Sequence, residues 1–71
     1  MAESVYKVIE LVGTSDQSWE KATAAALKQA SKSLRDLRVA EVSQLDVTIK
    51  DNGEIESYRA KLKVSFKYER G

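Results

Sequence analysis

Tyr58-Arg59-Ala60-Lys61-Leu62-Lys63-Val64-Ser65-Phe66-Lys67-Tyr68 decides the fold. Ala60, Leu62, Val64 and Phe66 alternate with Arg59, Lys61, Lys63, Ser65 and Lys67, which sends successive side chains to opposite faces, one apolar and one wet. The stretch reads as one long strand. At roughly 3.3 Å per residue it spans about 35 Å, as much as the width of a whole domain of this size. Such a strand outruns its own subunit and needs neighbours to cover it.

Working back from it, Asp51-Asn52-Gly53 is a hairpin signal, with Asn-Gly suited to the positive φ angles of a primed two-residue turn. The last strand then reaches back to Ile55. Arg38 to Lys50 is extended as well, but Ala40 and Val42 lie on one parity and Leu45, Val47 and Ile49 on the other, which places a bulge or bend near Ser43 and Gln44. Further upstream, Trp19, Ala22, Thr23, Ala26, Leu27, Ala30 and Leu34 form a single stripe at helical spacing. The stripe predicts a helix of about 17 residues, entered between Thr14 and Ser18, with Thr14 and Gln17 at capping-box spacing. Its three alanines let a helix backbone approach a sheet, and Trp19 is read as a core anchor. Val5 to Val12 is a first strand with apolar character on both faces, ended by Gly13.

The order is strand, helix, long strand, long strand: an α+β chain in which one antiparallel sheet wraps one helix. Seventy-one residues make a single domain, 1–71, which buries only about 60% of the surface its unfolded chain exposes. With no cysteine and no histidine, neither a disulfide nor the usual zinc site can staple it, so oligomerisation is the remaining device. Apolar positions beyond the helix are expected to be buried by other copies in a closed symmetric assembly that also removes the sheet edges.

Twelve basic and eleven acidic residues give a formal charge of +1 with no run of like sign, so no nucleic-acid or membrane-surface partner is expected. The first residues lack a signal-peptide layout and no segment has the length of a bilayer span, which suggests a cytoplasmic protein. No nucleophile triad can be assembled, and Glu10, Glu20, Glu41 and Glu54 read as solvated carboxylates, so no enzyme is expected. Gly13 before a helix start is read as part of capping and not as a phosphate loop, and Asp51 to Glu54 as a turn and not a calcium loop.

The segments Val5 to Ser15, Ser18-Trp19-Glu20, Leu37 to Val42 and Tyr58 to Phe66 together resemble the dodecin family over essentially the whole chain. The resemblance implies a β-α-β-β subunit whose three-stranded sheet folds around the helix, in a hollow homododecamer. It also implies non-enzymatic binding and storage of a flavin, riboflavin or FMN, stacked on a tryptophan of the second strand and hydrogen-bonded by a glutamine of the third. Here those positions hold Val39 and Arg59. A stack lost to valine weakens a ring site by up to about tenfold, while a guanidinium can stack and donate but cannot accept. Arg38, Gln44 and Asp46 fall near the implied pocket rim, with an exposed ion pair or solvated edge as the alternative for Arg38 and Asp46. Lys67 matches a basic position that meets phosphorylated ligands near a three-fold axis. A shell that has given up flavin for a divalent cation, Mg²⁺ or Ca²⁺, or for a phosphorylated molecule such as coenzyme A is the alternative; an adaptor with an open sheet edge is a further one.

Overall fold

The computed structural model describes residues 3–67, in the order β1 (Tyr6–Ser15), α1 (Trp19–Ala30), β2 (Leu37–Ile49) and β3 (Ile55–Lys67). The three strands form one antiparallel sheet with β3 in the centre, flanked by β1 and β2. This is the expected β-α-β-β arrangement. Tyr68, the expected last strand residue, lies outside the described residues.

The alternation in β3 sets the layers. Ala60, Leu62 and Val64 are buried beneath the helix, which presents Ala22 and Ala26 to them; Ala30, farther along, is buried as well. Burying a leucine or valine in this way contributes about 1.5–3 kcal/mol each. Ile9 and Leu11 of β1 and Ala40 of β2, opposite Val64, Leu62 and Val64 respectively, complete this layer. Arg59, Lys61, Lys63, Ser65 and Lys67 occupy the other face.

Gly13 does not end the first strand. β1 continues to Ser15, and Gly13 sits buried opposite Ala60, directly under the helix. A Cβ there would fall 2.0 Å from the carbonyl oxygen of Ala22 and 3.0 Å from the Ala26 Cβ, so the glycine is what lets α1 settle on β1. Nor does the Thr14 and Gln17 capping box form: Thr14 is in the strand opposite Arg59, and the N-cap is Ser18, whose Oγ accepts from the Lys21 N–H at 3.0 Å. Ser15 Oγ accepts from the Gln17 N–H, tightening the turn before it.

The helix has 12 residues, shorter than the stripe implied. Past Ala30, Ser31 Oγ donates to the Lys28 carbonyl, and i to i+3 bonds from Lys32 and Ser33 tighten the chain, so serine side chains and turn geometry end it before Leu34. Leu34 still packs, part-buried, beside the helix. Asp36, at φ 58°, then turns the chain into β2.

In β2 the register shifts between Val42 and Gln44, where the parity change placed a bulge; further shifts follow Leu37 and Thr48. The hairpin is tight but not of the expected two-residue type. Among its residues only Gly53 has positive φ, at 91°; its N–H donates to the Lys50 carbonyl and the Lys50 N–H to that of Glu54. That is a three-residue loop closed by a left-handed glycine. Asn52 Oδ1 accepts from the Glu54 N–H, which keeps Asn52 in the ordinary region.

The result is an elongated subunit of 56 × 20 × 16 Å. Its radius of gyration, 14.8 Å, exceeds the about 11 Å of a compact chain of this length. Its accessible surface, 5556 Å², exceeds the about 4,400 Å² normal for a monomer of this mass. A helix of about 18 Å lies on strands of about 43 Å. Consequently Val42, Leu45, Ile49 and Ile55 are exposed toward the hairpin end. β1 does not contact protein on both faces within one chain, because Val8 and Val12 face outward and are exposed.

Candidate functional site

The candidate residues fall into three places on the subunit. Gln44, Asp46 and Arg59 come together on the sheet face away from the helix, bordering a hollow of about 280 Å³ with Val12 and Lys61. The bulge after Val42 brings this about, since it resets β2 so that Asp46 stands directly opposite Arg59. Arg59 Nε donates to Asp46 Oδ1 at 2.7 Å and Nη2 to Oδ2 at 3.1 Å, a bidentate pair. That hydrogen bonding holds the Asp46 carboxyl below its ordinary range and raises the Arg59 guanidinium above its own.

Trp19 joins this cluster from the helix. Its Nε1–H donates to the Asp46 carbonyl at 3.0 Å, and its ring meets Tyr58 edge-on with centroids 5.1 Å apart. The expected core anchor is therefore part-buried and also fixes the β2 backbone at the site. No signal at helical period could have shown that hydrogen bond. Counting outward from the Lys50 and Glu54 closure sets Asp46 level with Tyr58; the register shift after Thr48 moves Arg59 opposite Asp46 instead, so the pairing was not open to simple counting.

Arg38 and Val39 lie at the other end of β2. Val39, opposite Ser65, is 63% exposed, and Arg38 makes a 3.7 Å ion pair with Asp36. Both candidates weighed against an exposed ion pair, Arg38 and Asp46, are thus in one. Val8 is also opposite Ser65 and 56% exposed, so two valines flank a small residue on the open face. Ser65 and Arg59 are six residues apart along β3, so Val39 and Arg59 are separated by about 20 Å within a chain. A pocket using both must combine two copies.

Lys67 lies at the far end of the sheet, where with Lys7, Arg35 and Asp36 it borders a hollow of about 350 Å³. Three cations face one carboxylate there. Among the described residues, no three acidic, histidine or cysteine side chains gather closely enough to hold a metal ion. No helix there is long and apolar enough to cross a membrane.

Comparison with known proteins agrees with the fold. The family model described as Dodecin matches residues 5–69. The calcium dodecin of Mycobacterium tuberculosis is 52% identical over 64 residues, covering 90% of this chain and 89% of that protein. The dodecin of Thermus thermophilus is 45% identical over 65 residues, covering 92% and 93%. The solved dodecin of Streptomyces coelicolor superposes with a TM-score of 0.92 at 35% identity over the full length of both chains. Sequence, element order and superposition coincide along almost the entire chain, and it belongs to the dodecin family.

Proposed function

We propose that this chain is a non-enzymatic, ligand-binding subunit of a hollow homododecamer that holds a flavin, riboflavin or FMN, in crevices between copies and stores or buffers it. The observation that carries this is the open apolar row at Val8 and Val39, facing away from the helix on a subunit with more surface than it can bury alone. Val39 and its mate from a second copy close over the ring system, and Arg59 of a neighbouring copy meets the ring's polar edge. The residues fit the apolar half of such a guest. They supply no aromatic stack, and Arg59 donates without accepting, so affinity is lower than a tryptophan and glutamine site would give. Gln44, Asp46 and Arg38 border the crevice as polar groups. The protein acts in the cytoplasm, with copies of itself as partner and neither nucleic acid nor membrane.

Titrating riboflavin or FMN with purified protein tests this. Fluorescence should fall in proportion to assembled protein, and native mass spectrometry should report twelve copies with retained flavin. No quenching at micromolar protein would end the flavin reading.

A second reading, a divalent-cation shell, is favoured by the relative described as a calcium dodecin at 52% identity. As one chain gathers no set of three acidic ligands among its described residues, the carboxylates of several copies would have to converge. Lys67, with Lys7 and Arg35, would take a phosphorylated molecule such as coenzyme A on the same shell. Calorimetry with Ca²⁺, Mg²⁺ and coenzyme A separates these from flavin binding.

A further inference from the structure

The Asp46 and Arg59 pair differs from an ordinary surface ion pair in how it is held. The Asp46 main chain is anchored by Trp19, Trp19 is braced by Tyr58, and its own carbonyl is bound by the Thr23 hydroxyl inside the first turn of α1. The carboxylate thus projects from a rigid corner of the fold. Both of its oxygens grip the side-on edge of the guanidinium, through Nε and Nη2, at side-chain exposures of 36% and 44%. The end-on edge, formed by Nη1 and the outer N–H of Nη2, is left for a ligand. Two parallel donors match two adjacent acceptor atoms on a planar ring.

Charge in the same hollow follows from three side chains. Arg59 and Lys61 carry two positive charges, and Asp46 cancels one. Val12 supplies an apolar wall and Gln44 an amide.

We infer that Asp46 is a specificity-determining residue, which aims the free edge of Arg59 and halves the positive charge of the hollow, so that the site takes an uncharged ring edge with adjacent acceptors in preference to a dianionic phosphate. This rests on the ligand-binding reading above, but the role of Asp46 in charge selection can be scored without it. Replacing Asp46 by asparagine keeps the shape and removes the charge; Asp46→Glu keeps the charge.

The experiment uses the assembled full chain, with riboflavin and FMN followed by fluorescence quenching and inorganic phosphate by calorimetry. Asp46→Asn should move the ratio of FMN to riboflavin affinity toward FMN by roughly threefold to tenfold, the effect of one unit charge at close range in a wet site. Phosphate should bind more tightly by a similar factor. Adding Arg59→Gln to Asp46→Asn should abolish both gains, and Asp46→Glu should retain the native preference. An unchanged ratio and unchanged phosphate affinity in Asp46→Asn would overturn the inference. If the native protein quenches neither flavin, the flavin reading falls; the phosphate arm then decides, a gain in Asp46→Asn sustaining the role of Asp46 and no gain rejecting it.

Discussion

The middle of the sheet and its outer reaches are built from similar residues and solve opposite problems. Around Ala60, Leu62 and Val64 a short alanine-faced helix covers the apolar side completely, and Gly13 lets it descend to contact distance. Toward the hairpin, Val42, Leu45, Ile49 and Ile55 are as apolar and stand open, as do Val8, Val12 and Val39 on the opposite face. Both regions have strand alternation; only one has a helix over it. Side-chain pattern therefore says which face wants burial, while element lengths say whether the chain can provide it.

The sharpest way to break the contrast is to damage the covered region. Leu62→Ala removes a fully buried side chain beneath the helix and should lower stability by about 3 kcal/mol, read from the denaturant midpoint. Gly13→Ala should cost about 1–3 kcal/mol, because the added methyl meets the Ala22 backbone, which can yield only if the helix shifts.

In the uncovered region a polar change should do something different. Leu45→Asp should leave the secondary structure of the subunit intact and abolish assembly, shifting native mass spectra from the oligomer to the single chain. An oligomer that survives this change would mean the hairpin end is solvated in the assembly and that the excess surface is buried elsewhere.

This division also explains what could be read from residues alone. The β3 alternation, the helix stripe and the parity change at Ser43 and Gln44 are periodic signals, and each corresponds to an element or irregularity in the structure. Boundaries fared worse. Gly13 looked like a terminator because glycine often is one, whereas its reason here is the close approach of the helix that follows it, folded back onto the strand. The helix stripe ran on to Leu34 since apolar spacing does not register that serine hydroxyls and turn bonds have already taken over. The hairpin's length depended on whether Asn52 would adopt positive φ, and its bond to Glu54 decided otherwise. For the site, Asp46 and Arg59 were each legible as candidates, but their pairing depended on the register shift after Thr48, and the Trp19 link on the three-dimensional placement of the helix. That Val39 and Arg59 are separated by about 20 Å also emerged only once both strands were in register.

Val39→Trp sharpens the comparison on the open face. The position is exposed in the single chain, so subunit stability should change little, but a stack across two copies would add about 0.5–1.5 kcal/mol per aromatic pair. Flavin affinity should rise up to about tenfold, measured by quenching at constant oligomer concentration. Unchanged affinity would place the ring elsewhere.

The smallest effect belongs to the pair that joins the two regions. Hydrogen bonding to Arg59 lowers the Asp46 carboxyl from an ordinary 3.8, so the folded state favours the charged form more than the unfolded chain does. A carboxylate lowered in this way contributes its stability above the unfolded value, and loses it as pH falls through the lower folded value. Accordingly, the difference in denaturation midpoint between native protein and Asp46→Asn should be constant from about pH 7 to pH 5 and should vanish only in strong acid, below the ordinary carboxylate range. Since both side chains are partly solvated, the difference should also shrink as salt is raised. A difference that titrates near neutral pH would show that some group other than Asp46 governs it, whereas one insensitive to salt would show that packing by Trp19, and not charge, secures this corner of the sheet.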